Sequence, residues 1–238
     1  MIGGLARWRS FRALALVSAV FAAGAIDFGG GSALARASRA LGSRLSWSER
    51  SRDAGQFDLV QPRTDIVFVG DSLTEGGLWQ DVLRDRVVTC RARGGQTVSE
   101  IGQWADAVVA LRPRQVFVMA GINDLQRGVP IDEVLGSYVR LVDAFREGGA
   151  SVVVQSTLEC ERRFGAGLLA AVRELNVRLS ERMQRRDGVF WLDINSSLAG
   201  GEQGLREAFS TDGVHLNPSG YQRWYELVRP LAVPAVPR

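Results

Sequence analysis

The sequence contains no Lys; all 29 basic residues are Arg. That absence excludes Schiff-base chemistry, a P-loop Lys and a Ser-Lys catalytic pair. There is one His, His215, and there are two Cys, Cys90 and Cys160. Cys-rich zinc sites and clusters of His ligands are thereby excluded, which leaves a mononuclear site built on one His and carboxylates as the remaining metal option; the serine chemistry read below needs neither a metal nor an organic cofactor. Cys90 sits in one strand-like run and Cys160 just after another, so two free, mostly buried thiols are expected rather than a disulfide. No Gly-x-Ser-x-Gly occurs, which excludes the usual nucleophile elbow of α/β-hydrolases. Gly70 with Gly94-Gly95 does not form the Gly-x-Gly-x-x-Gly phosphate cradle of nucleotide-binding sheets.

What is present has an ordinary globular balance, with 46% hydrophobic and 23% charged residues in 238. The length suits one domain with a terminal appendage. The net charge of +3 is unevenly spread. Residues 1–60 carry eight Arg against Asp27, Glu49, Asp53 and Asp58, a surplus of +4; the remaining 21 Arg face 22 acids, giving −1. The basic character therefore belongs to the N-terminal segment, and no nucleic-acid partner is expected for the main domain.

Arg7, Arg9 and Arg12 precede an apolar run of 14 residues, Ala13 to Ile26, which Asp27 ends. A membrane-spanning helix needs about 20 residues, whereas the apolar region of a secretory signal needs about 7–15. Ala33-Leu34-Ala35 then offers small residues at a cleavage spacing. Residues 1–35 accordingly read as a signal peptide or an uncleaved N-terminal membrane anchor, with a buried helix of the domain as the alternative. Either of the first two places the protein outside the cytoplasm, in a periplasm or secreted, or anchored in the inner membrane and facing the periplasm. Residues 36–60, rich in Arg and Ser, read as a tether or short surface helix, and 61–238 as the domain.

Within the domain, apolar runs at 65–70, 86–90, 115–121, 151–155 and 189–193 have the length and β-branched content of buried parallel strands. Between or after them, apolar residues recur at helical spacing over 98–111, 131–145, 168–183 and 218–228. Strands alternating with helices predict an α/β fold, a three-layer α/β/α sandwich around a five-stranded parallel sheet. Ligands in such sheets bind at the carboxyl ends of the strands, near a switch in strand order.

The polar residues fall at those ends. The first strand runs into Gly70-Asp71-Ser72-Leu73, the second into Gly94-Gly95-Gln96-Thr97 and the third into Gly121-Ile122-Asn123-Asp124. Asp212-Gly213-Val214-His215 follows the last. A Ser hydroxyl needs a base within hydrogen-bond reach, and that base needs a partner to set its tautomer. Here the candidates are Ser72 as nucleophile, His215 as base and Asp212 as its partner. An ester carbonyl under attack becomes an oxyanion, for which the N–H groups of Ser72 and Gly95 and the amide of Asn123 are candidate donors. Gly at 95 would let the backbone approach closely.

In this combination the blocks resemble the SGNH/GDSL hydrolase family. Gly70-Asp71-Ser72-Leu73 is similar to its first block, Gly95 to the glycine of the second, Gly121-x-Asn123-Asp124 to the third and Asp212-Gly-Val-His215-Leu to the fifth. The likeness runs from about Thr64 to Leu231. Asp65 to Ser72, Gly77-x-Trp79, Gln155-Ser156 and Asp212 to Tyr221 are most similar to the branch holding the catalytic subunits of platelet-activating-factor acetylhydrolase. The resemblance implies a flavodoxin-like SGNH fold and a serine esterase acting on short, acetyl-type esters of small molecules, glycans or lipids. Two places depart from the pattern. Cys90 and Ala92 stand where the second block has Asn and Gly, and a charged stretch, Glu159 to Arg163, follows the fourth strand and is expected at the pocket rim. An O-acyltransferase using the same acyl-enzyme and a non-catalytic glycan-binding envelope module are the alternatives.

Overall fold

The computed structural model describes residues 64–234. The segments 1–35 and 36–60, read above as signal or anchor and tether, lie outside the described residues. Five strands form, β1 (Ile66–Gly70), β2 (Val88–Ala92), β3 (Gln115–Met119), β4 (Ser151–Gln155) and β5 (Val189–Leu192). All pair in parallel, in the order β2-β1-β3-β4-β5. Phe68 of β1 stands level with Cys90 on one side and Phe117 on the other.

Side chains alternate across the sheet because the strand repeat is two residues. Val67, Val69, Val116, Val118, Val152 and Val154 face one layer of helices. Ile66, Phe68, Phe117, Met119 and Val153 face the other. The first layer holds α3 (Val98–Gly102), α4 (Ala105–Val109), α6 (Ile131–Glu147) and α7 (Ala166–Met183), which contribute Ile101, Val108, Tyr138, Leu141, Leu175 and Leu179. The second holds α2 (Trp79–Val82), α8 (Asn195–Leu198) and α9 (Pro218–Val228), which contribute Trp79, Leu198 and Trp224. There Phe68 stacks between Trp79 at 4.1 Å and Phe117 at 4.8 Å. Trp224 meets Trp79 edge-on at 4.9 Å and donates its indole N–H to Gln155 Oε1 at 2.6 Å.

The sheet and both layers match the expectation, with four differences of detail. Strand β2 begins two residues later than 86, because Val87 C=O closes the edge before it by accepting from the N–H groups of Asp65 and Ile66 and from Thr64 Oγ1. The helix expected over 98–111 is two short helices. Trp104, with φ −122°, leaves helical geometry and is buried at the joint. Both Cys are free, as expected, but only Cys160 is buried; Cys90 lies exposed on β2, a strand at the sheet edge. Finally, Ser72 and Asn123 sit on short helices, α1 (Ser72–Glu75) and α5 (Ile122–Gln126), which begin where β1 and β3 end. Those two strands are adjacent although β2 separates them in sequence, so the order of winding reverses between them. The reversal opens a crevice at their carboxyl ends.

Candidate active site

The turn that carries Ser72 is held from three sides. Asp71 caps α1, its Oδ1 accepting the Leu73 N–H at 3.1 Å. Tyr221 of α9 donates its hydroxyl to Leu73 C=O at 2.8 Å, and Trp79 donates its indole N–H to Thr74 C=O at 2.7 Å. Helix α1 has only four residues, too few to be stable by itself. These side-chain bonds give Ser72 a fixed platform.

His215 reaches Ser72 from the loop before α9. Its Nε2 lies 3.0 Å from Ser72 Oγ, across 143 residues of sequence, and its Nδ1 lies 2.7 Å from Asp212 Oδ2. The other oxygen, Asp212 Oδ1, accepts the backbone N–H groups of Val214 at 2.9 Å and His215 at 2.8 Å. Desolvation pushes the Asp212 pKa up. The backbone and side-chain bonds from His215, with that from Val214, outweigh it and hold the carboxyl below its ordinary value. An ionised Asp212 keeps the proton on Nδ1, and Nε2 is then the acceptor for the Ser72 hydroxyl.

The stretch expected as a charged rim is mostly interior instead. Leu158, Glu159, Cys160 and Glu161 are buried, and Arg162 and Arg163 are exposed. Glu159 is paired with Arg173, whose Nη2 stands 2.9 Å from Oε2, and Glu161 with Arg163 at 2.5 Å. The Glu161 N–H binds Gly213 C=O at 2.8 Å, so this segment braces the loop that presents His215.

The candidate oxyanion donors lie around the same crevice. The Gly95 N–H has no acceptor among the described residues. Its glycine is required for a different reason from the one anticipated. A Cβ there would meet open space, but φ is +76°, a conformation L side chains rarely adopt. At Gly94 a Cβ would stand 3.3 Å from Glu75 Oε2 and, at ordinary contact distance, 3.6 Å from Ser72 Cβ. Asn123 Nδ2 donates to Gln96 C=O at 3.0 Å and, at a longer 3.4 Å, to Asp71 Oδ2. Both hydrogens lie in the one amide plane, so Asn123 turns towards a developing oxyanion only as a whole, and the longer contact with Asp71 is the weaker one to give up.

A family model, that of the GDSL-like lipase/acylhydrolases, matches residues 68–223. The chain belongs to that family. It is accordingly a hydrolase acting on ester bonds. No curated protein is significantly similar to it in sequence. Among solved structures, a GDSL-like lipase from Bacteroides thetaiotaomicron is 22% identical, with a TM-score of 0.68 over 77% of this chain and 96% of its own. A Streptococcus pneumonia protein described by reference to platelet activating factor is 18% identical, with a TM-score of 0.71 over 82% of this chain and 99% of its own. An acetyl xylan esterase is 16% identical, with a TM-score of 0.58 over 71% of this chain and 99% of its own. At these identities the likeness is one of fold.

Two buried carboxyls of this GDSL-like hydrolase carried no assigned role in the sequence reading. Asp71 is fully buried, and desolvation raises its pKa to about 7 against the lowering effect of the Leu73 N–H and of His215. Asp124 is raised to about 6, again by desolvation, although both its oxygens accept the Val98 N–H. Asp71 adjoins Ser72 in sequence and Asp124 adjoins Asn123, which was the available signal. Their burial depends on neighbours far away in the chain. Among the described residues no group of three or more His, Cys, Asp or Glu is arranged to hold a metal ion.

Proposed function

We propose that the protein is a serine esterase that removes short, acetyl-type acyl groups through an acyl-enzyme on Ser72. The observation that carries this reading is the continuous relay from Ser72 Oγ through His215 to Asp212, with contacts of 3.0 and 2.7 Å. Ser72 Oγ attacks the ester carbonyl while Nε2 takes its proton, and Asp212 stabilises the imidazolium that results. The N–H groups of Ser72 and Gly95, with the Asn123 amide, receive the oxyanion. Collapse of the tetrahedral intermediate releases the alcohol, which leaves with the proton returned by His215. Water then attacks the acyl-enzyme, with His215 again as base.

The side chains of His215 and Asp212 are 46% and 51% exposed. An open flank of this kind suits a bulky alcohol moiety such as an acetylated glycan or a lysolipid. The small acyl group follows from the resemblance of the sequence blocks to the platelet-activating-factor acetylhydrolase branch. The acetyl xylan esterase among the structural neighbours is in keeping with that choice. The Arg-flanked apolar run near the N-terminus supports an envelope location, secreted or tethered.

The test is a series of p-nitrophenyl esters of increasing chain length, together with acetylated sugars, given to the parent and to Ser72→Ala. The parent should prefer acetyl. Ser72→Ala should lose about 10³-fold or more in kcat while keeping its circular dichroism spectrum. Equal turnover by the two proteins would refute the mechanism.

A further inference from the structure

Three backbone groups of the Gly94–Gln96 loop are each gripped by a side chain from a neighbouring catalytic element. Glu75 ends α1, which Ser72 begins, and its Oε2 accepts the Gly94 N–H at 2.8 Å. Arg127 caps the end of α5, which carries Asn123, and its Nη2 donates to Gly95 C=O at 2.5 Å. Asn123 itself takes Gln96 C=O at 3.0 Å. Arg127 is in turn anchored by Nη1 on Glu100 Oε2 at 3.1 Å, and Glu100 closes the capping box of α3 with Thr97. The loop needs such a grip. Gly94 and Gly95 have no side chains to pack, and Gly95 adopts φ +76°. Without outside contacts the backbone on either side of the Gly94–Gly95 linkage would be free to shift.

We infer that Glu75 and Arg127 are positioning residues that hold the peptides on either side of the Gly94–Gly95 linkage and so place the Gly95 N–H for the oxyanion. The inference rests on the esterase reading of Ser72. Its physical content is that the two peptides flanking the one between residues 94 and 95 are both held. The carboxylate of Glu75 takes the N–H of the Arg93–Gly94 peptide, and the guanidinium of Arg127 takes the carbonyl of the Gly95–Gln96 peptide, so the two Cα atoms between which the Gly95 N–H is carried are fixed in place. A shift of either one would move the Gly95 N–H off its target, and an oxyanion donor works only when it is already in place as charge develops. Neither side chain donates to the oxyanion itself. Their effect should therefore appear in kcat and in the binding of tetrahedral adducts, not in ground-state binding.

The experiment uses the full chain and five variants: Glu75→Ala, Glu75→Gln, Arg127→Met, Glu75→Ala with Arg127→Met, and Ser72→Ala. Active-site concentration is titrated with a fluorophosphonate, kcat and KM are measured on p-nitrophenyl acetate, and inhibition is measured with a boronic acid that forms a tetrahedral adduct. Glu75→Ala and Arg127→Met should each lower kcat per active site about tenfold, with KM within about twofold. The boronic acid should weaken in proportion to the loss of kcat/KM. Glu75→Gln should recover most of the activity, because its Oε1 accepts the same N–H. The double variant should lose less than the product of the single losses, because both act on the placement of the same N–H group.

Unchanged kcat in Glu75→Ala and Arg127→Met would overturn the inference. So would losses explained entirely by a smaller active fraction, or boronic acid affinity that stays constant while kcat falls. Ser72→Ala keeps the two readings apart. If that variant remains active the esterase mechanism itself fails. If it is inactive and the clamp variants behave like the parent, only the positioning role fails.

Discussion

Replacing Asp71 with Asn should change how stability depends on pH. Asp71 is fully buried, and its pKa is raised from 3.8 to about 7, mainly by loss of water. The folded protein therefore holds this proton up to about pH 7, whereas the unfolded chain releases it near 3.8. By linkage, the protonated carboxyl favours folding fully below its unfolded value, and that contribution is lost as the pH rises through its folded value. At about 1.4 kcal/mol per pH unit, the interval corresponds to about 4 kcal/mol. Asp71→Asn removes the ionisation and keeps an oxygen for the Leu73 N–H. Relative to the parent, the variant should gain about 4 kcal/mol between pH 4 and pH 8.5. A constant offset from the altered contact with Asn123 leaves that slope intact. Asp124 titrates with the same sign in both proteins and largely cancels. Urea denaturation at half-unit intervals of pH measures the difference directly. A difference that stays within about 1 kcal/mol across the range would refute the reasoning, since Asp71 would then be charged in the native protein.

Two further outcomes follow from the geometry. Asp212→Asn should lower kcat by about 10²- to 10⁴-fold with little loss of stability. The amide oxygen can keep the Val214 and His215 N–H groups, but its NH₂ then faces Nδ1, which drives the imidazole to the tautomer that cannot accept from Ser72; steady-state kinetics on the purified variant reads this, and a loss under tenfold would count against the relay. Gly70→Ala should cost about 3 kcal/mol or more, because a Cβ there overlaps Met119 C=O and Thr74 Oγ1 at the end of the strand that leads into Ser72. Thermal denaturation tests it, and a Tm matching the parent's would show that β1 and β3 are looser than described.

Much of the site was legible before any coordinates because parallel strands share one polarity. Once five apolar runs are read as one parallel sheet, whatever follows each run must gather at the same edge. Ser72, Gly95 and Asn123 are placed there by that logic alone, and His215, as the single imidazole, has no competitor for the role of base. Less legible were features that depend on distant neighbours. Glu159 and Glu161 look like surface charges in a polar stretch, yet they are buried, with Arg173 and Arg163 as partners. The break at Trp104 is hidden because the apolar spacing runs unbroken through it.

The amino-acid sequence alone therefore determined the class of fold, the edge where chemistry occurs and the residue types available to perform it. Periodicity and strand polarity are local properties, written into consecutive residues. Tertiary structure decided the rest: the 3.0 Å approach of Ser72 to His215, the burial that lifts Asp71 to about 7, and the grip of Glu75 and Arg127 on a loop of glycines. Each of these depends on side chains brought together from separate elements, and interaction energies at that range vary over fractions of an ångström, a scale on which only the packed chain is defined.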